Sequence, residues 1–286
     1  MPVVRRALAA AVLVALAAGV AGWTLTRSEG AQRPDRFDSE AAWTFLKRQV
    51  ALGPRPAGSS KSRELAAILR RSIPGGRFQP VPGRLRNVVG TIPGRNPARK
   101  VVLVAHYDTK DLPGFVGAND SASGTAVVRQ LARTIRPRQV RPTLIIVFVD
   151  GEEVPRGRPE NQFERFGLRG SKVAARAFRT AEAAIVLDFV GDKDLAIPRE
   201  QLSNRRLWSR LRTAASRAGF ARYFPAREQG AVLDDHVPFI RQGVPAIDLI
   251  DFDFPCWHKR CDDLTAVSER SLDAVGETMM VFLAGL

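Results

Sequence analysis

A few short stretches of this chain carry the residue types that polarise carbonyls and move protons. They are His106 with Asp108, then Asp120, the run Asp150-Gly151-Glu152-Glu153, Asp188, and Trp257-His258. Most of them close or directly follow a short apolar run: residues 101–105 before His106, 144–149 before the acidic run, 184–189 around Asp188, and 246–250 upstream of Trp257. An acidic pair placed right after an apolar strand is an unfavourable position for charge unless a metal or a partner compensates it. Carboxylates mixed with imidazole, and with no thiolate among them, suit a catalytic zinc, whose three protein ligands leave one position open. The chain has only 3 histidines, His106, His236 and His258, so the choice of imidazole is narrow.

Taken singly, each of these residues has an ordinary explanation. Asp120, just ahead of an apolar-periodic stretch, is a good helix N-cap. His106 reads as a satisfied core histidine, and tandem glutamates such as Glu152-Glu153 are commonly solvated. Their convergence is harder to explain away. In open α/β sheets ligands bind beyond the carboxyl ends of the strands, and there the separate apolar runs deliver their acids and imidazoles to one edge.

The elements that must do this positioning follow from the periodicity. Strand-like β-branched runs occupy 87–92, 101–105, 144–149, 184–189 and 246–250. Helical spacing occupies 39–50, 60–72, 123–135, 171–181, 201–218 and 268–283. Near-continuous apolar strands alternating with helices predict a single α/β domain with a mixed but largely parallel central sheet flanked by helices. At 286 residues and 45% hydrophobic composition, one large domain has ample material for a core.

Location is read from the N-terminus. Arg5 and Arg6 precede an uncharged Ala-, Val- and Leu-rich stretch, so residues 1–26 are expected to be an export signal or a membrane anchor through residues 7–26. Residues 27–36 read as a linker and 37–286 as the catalytic domain, outside the cytoplasm. The two cysteines, Cys256 and Cys261, bracket Trp257-His258 and are expected to form a short-loop disulfide in preference to a zinc knuckle. The formal charge of +15 invites a nucleic-acid reading. Its arginines are spread over different elements, however, and no aromatic residues interleave with them, so a solvated basic surface is expected and no specific nucleic acid.

At these residues the sequence resembles the glutaminyl-peptide cyclotransferase branch of the M28-type zinc peptidase superfamily. His106-Tyr107-Asp108, Asn119-Asp120, Asp150-Gly151-Glu152-Glu153, Gly170-Ser171 and Asp188 resemble the superfamily at large. Val116-Gly117-Ala118-Asn119-Asp120-Ser121, Asp234-Asp235-His236-Val237-Pro238-Phe239 and Phe254-Pro255 leading to Trp257-His258 resemble the cyclases. The resemblance implies a zinc-aminopeptidase-like fold and one zinc per chain held by Asp120, Glu153 and His258. It implies Glu152 as general acid/base, Asp188 and Asp234 as a carboxylate pair beside the reacting nitrogen, and Trp257 and Phe254 as pocket walls. The implied substrate is a peptide or protein N-terminal glutamine, converted to pyroglutamate with release of ammonia. The loop 154–168, rich in Pro, Gly and Arg, and Asp248, where animal enzymes carry His, depart from the pattern.

Two rival readings stand beside this one. In a two-zinc aminopeptidase His106 and Asp188 would complete a second metal site with Asp120 as bridge. A non-catalytic protease-like ectodomain would keep the fold without the chemistry, since fold alone never fixes function.

Overall fold

The computed structural model describes Phe37–Leu286, so the expected signal or anchor at 1–26 and the whole of the linker at 27–36 lie outside the described residues. In chain order the regular elements are α1 (Ser39–Ala51), α2 (Ser60–Ser72), β1 (Arg77–Val81), β2 (Leu85–Ile92), β3 (Asn96–His106), α3 (Ala122–Thr134), β4 (Pro142–Val149), α4 (Phe163–Phe166), α5 (Arg169–Ala177), β5 (Ala183–Leu187), β6 (Arg199–Glu200), α6 (Arg205–Ala218), β7 (Glu228–Gln229), α7 (His236–Arg241), β8 (Ala246–Leu249) and α8 (Glu269–Ala284). Helix starts follow their capping chemistry. The Asp38 carboxylate accepts the Ala41 N–H at 2.9 Å, Ser59 accepts from Ser62, and Asn204 accepts from Leu207. The last of these explains why α6 begins at Arg205 and not at Gln201, where helical spacing alone had set its start.

The main sheet has 6 strands in the order β1-β2-β4-β3-β5-β8. β4, β3, β5 and β8 run parallel, while β2 is antiparallel to β4 and β1 antiparallel to β2. The mixed, largely parallel sheet expected from sequence is therefore present. Side chains alternate between two cores, as a pleated strand requires. Leu103, Leu144, Ile146, Ile185 and Ile247 pack under α1, α2, α3, α6 and α8, while Val102, Val104, Ile145, Val147 and Val186 pack against α5 and α7. Because both faces are covered, β4 is buried along its whole length.

Parallel registration brings the strand ends to one edge: His106 lies opposite Val149, and Leu187 opposite Leu249. Helix α3 is the element that seats closest on this frame. Gly124 lies against the Leu187 carbonyl, where a Cβ would overlap the oxygen, come within 2.9 Å of the carbonyl carbon and meet the Ala105 Cβ at 3.4 Å. Gly124→Ala should therefore destabilise the fold by about 2–3 kcal/mol in urea unfolding, even though alanine is the better helix former, because the clash is with backbone. An unchanged or raised midpoint would show that α3 does not seat this closely on β5.

Candidate metal centre and active site

The loops after the parallel strands build the site. Beyond β4 the chain turns at Gly151, whose φ of +75° suits glycine. The turn presents Glu152 and Glu153, and Asp108, just past the end of β3, fixes it. The Asp108 Oδ1 accepts the N–H groups of Gly151 and Glu152 at 3.0 and 3.3 Å, and its Oδ2 accepts that of Glu153 at 3.3 Å. The second residue of the sequence motif is thus a brace for the acidic pair. Beyond β8 the chain reaches a loop closed by the Cys256–Cys261 disulfide, as expected, with His258 inside it at φ +52°.

Donor atoms of Asp120, Glu153 and His258 lie within 4.8 Å of one another, close enough to hold a metal ion. His258 Nε2 is 3.3 Å from Glu153 Oε1 and 3.6 Å from Asp120 Oδ2. The other oxygen of Asp120 faces the opposite way, with its Oδ1 3.3 Å from His106 Nε2, which is also 3.3 Å from Asp188 Oδ1. His106, Asp120 and Asp188 therefore form a second cluster of the same kind, sharing Asp120. Asp120 does not serve as the N-cap its position suggests: Ser121 holds that place, without a side-chain cap bond.

The electrostatics are those of a site short of positive charge. Burial, then the charge of Glu153, lifts the Glu152 carboxyl well above its usual range. Burial and Glu153 likewise push Asp120 up to about 6, against the pull of His106. Burial and Asp188 push Asp234 up to about 6. Glu153 moves the other way. Burial opposes its ionisation, but the hydrogen bond and charge of His258, with Lys110 and His106, outweigh it and hold the carboxyl below its usual value. Carboxylates crowded like this, with donor atoms converging, fit a divalent cation that would favour their ionised forms.

A cavity of about 300 Å³ opens over these groups and is lined by Asp120, Glu152, Glu153, Asp188, Asp234 and His258 as its polar floor. Trp257, 45% exposed, forms one wall, with its ring 4.6 Å from that of His258 and 5.0 Å from that of Phe252. Phe254, expected on that wall, is not there. It is buried with Phe189, Ile250 and Ala266, its ring 5.9 Å from that of Phe189, and Phe252 faces the cavity in its place. The apolar lining is completed by Phe163, Phe189, Val232, Leu233 and Ile250.

Several contacts of the site went unread in the sequence. Lys110 Nζ sits 3.1 Å from Glu153 Oε2 and 2.7 Å from Glu160, bridging the acidic pair to the loop after it. Behind Asp234, His236 and Asp248 form a third buried cluster with it, and His236 lies 3.2 Å from Glu200. Arg55 is fully buried and donates to the carbonyls of Gln49, Gly53, Val116 and Gly117. A lone basic residue in a Gly-Pro-Arg-Pro stretch signals a turn, and its long reach to other loops leaves no local pattern.

The sequence matches the model of peptidase family M28 over residues 87–283. A glutaminyl-peptide cyclotransferase-like protein of Bos taurus is 31% identical over 298 residues, covering 87% of this chain and 76% of that protein. A solved structure of Porphyromonas gingivalis glutaminyl cyclase is similar with a TM-score of 0.77 at 28% identity, covering 88% of this chain and 99% of that one. A leucine aminopeptidase precursor from Bacteroides thetaiotaomicron is as similar in fold, with a TM-score of 0.78 at 24% identity over 87% of this chain and 98% of that one. The frame is thus shared with peptidases, while the sequence likeness falls on cyclotransferases. The chain belongs to peptidase family M28, on its glutaminyl-peptide cyclotransferase branch.

Proposed function

We propose that this chain is a zinc-dependent glutaminyl-peptide cyclotransferase that converts the N-terminal glutamine of peptides to pyroglutamate and ammonia. The observation that carries the reading is the position of Glu152. It lies on the cavity floor beside the Asp120–Glu153–His258 cluster but outside it, which is where a proton carrier adjacent to a metal must be. Zinc held by Asp120, Glu153 and His258 would supply Lewis acidity toward the glutamine side-chain amide.

The residues of the chain account for the rest. The cavity, at about 300 Å³, has room for a glutaminyl residue folded so that its α-amine lies near the δ-carbon of its own side chain. The amine nitrogen bonds to that carbon, Glu152 receives the proton the amine gives up, and the bond from carbon to the side-chain nitrogen breaks. Glu152 returns the proton to that nitrogen, which departs as ammonia. Asp188 and Asp234, both on the cavity wall, accept from the substrate amine and keep its lone pair aimed. Trp257 and Phe252 shield the reacting atoms from water on one side. The disulfide supports an oxidising compartment and thus the exported location proposed for the chain.

Incubating the purified full chain with a Gln-initiated and an Ala-initiated peptide tests the reaction. Ammonia released from the first, with no free amino acid from either, is the expected result. Free amino acid would indicate an aminopeptidase. Glu152→Gln should lower kcat by about 10²–10⁴-fold with zinc content unchanged, because a proton carrier is lost while the donor set is intact. Loss of zinc in that variant would mean that the two glutamates have exchanged roles.

A second reading, the two-zinc aminopeptidase, is favoured by one observation: the His106–Asp120–Asp188 cluster meets the same distance test as the first. Metal analysis at saturating zinc separates the two. The cyclotransferase reading expects one equivalent, nearly unchanged in His106→Ala, whereas two equivalents falling to one in that variant would establish the aminopeptidase.

A further inference from the structure

We propose that Asp262 is a positioning residue that locks the two loops carrying Asp120 and His258 into one unit and thereby sets the affinity of the metal centre. The inference rests on the metal reading of the Asp120–Glu153–His258 cluster. Asp262 follows Cys261 directly, at the end of the disulfide-closed loop that carries His258. It is fully buried, and three successive N–H groups of the Asp120 loop converge on it. The Ala118 N–H donates to its backbone carbonyl at 3.2 Å, and the Asn119 and Asp120 N–H groups donate to its two carboxylate oxygens at 2.6 and 3.1 Å.

Both oxygens of one carboxylate are thus committed to holding the backbone of Asp120 and of the residue just before it. With that backbone fixed, the Asp120 side chain presents Oδ2 to His258 and Oδ1 to His106. On the far side of the same loop, buried Arg55 donates to the Val116 and Gly117 carbonyls, so the loop is gripped at both ends. The next carboxylate along, Asp263, is oriented differently and accepts from the Thr265 N–H and hydroxyl in its own turn. A group that orients a ligand rather than binding the metal typically changes affinity or activity by roughly 10–100-fold when removed.

The test compares Asp262→Asn and Asp262→Glu with Asp263→Asn in the full chain. The asparagine keeps the shape but turns its amide NH2 toward one of the N–H groups, so one of the two backbone donors loses its acceptor. The glutamate keeps the charge and displaces both oxygens. Zinc affinity of the metal-free protein is read by chelator competition, and the visible absorption of the cobalt form reports ligand geometry. Asp262→Asn should bind zinc about 10–100-fold more weakly and shift the cobalt spectrum, Asp262→Glu should fall between it and the parent, and Asp263→Asn should match the parent. If Asp262→Asn does not fold, Asp262→Glu carries the same comparison. A variant that melts earlier yet keeps the parent's zinc affinity and cobalt spectrum would make Asp262 a structural brace only and overturn the proposal. A parent chain that binds neither metal would overturn it together with the metal reading on which it rests.

Discussion

Negative charge confined in a buried space governs this structure. Asp120, Glu152, Glu153, Asp188, Asp234, Asp235 and Asp248 are all buried around or just behind one cavity, and burial raises the cost of ionising most of them. Groups that repel one another will not stay together unless the scaffold holds them or a cation joins them. The scaffold does its share with the Phe189 N–H, which donates to Asp188, and with Lys110 beside Glu153, and the remaining deficit of positive charge is what a divalent ion would fill. The loops beyond the strand ends, and not the strands themselves, therefore carry the most closely specified contacts of the molecule.

The same logic separates the frame from the chemistry laid over it. A parallel sheet ending in His106, the acidic turn and Asp188 accommodates one cation or two, and Asp120 faces both candidate clusters. What is laid over that frame is the apolar lining contributed by Trp257, Phe252 and Leu233, which come from loops outside the strands. Residues on such loops can be exchanged without disturbing the strands, which is why a shared fold does not fix a shared substrate.

Much of this was legible in the chain itself. The runs at 101–105 and 144–149 lie within strands, 246–250 overruns β8 by one residue, and the acids and imidazoles after them reach one edge, because strand burial on both faces writes a continuous apolar signal. Strand β1 was not legible: it is mostly exposed, short, and interrupted by Pro80, which an edge position tolerates. Helix α7 was missed because its six residues are too few to show a period. Phe254 was misplaced for a different reason. Phe252 and Phe254 are both candidates for the wall, and only the path of the loop decides which one turns outward. The braces Asp108, Arg55 and Asp262 act through backbone groups of distant loops, and such contacts leave no spacing in the sequence to read.

The disulfide-closed loop also bears on how the protein can be handled. His258 sits in a left-handed conformation that costs a non-glycine residue about 1–3 kcal/mol and is kept there by its surroundings. A thiol reductant removes the covalent part of that restraint and, being itself a soft ligand for zinc, would compete at the same time for the metal of the proposed centre. Reductant in the buffer would therefore act twice on one centre. Preparations made in reducing cytoplasm and in an oxidising compartment would differ in their metal loading while sharing one sequence.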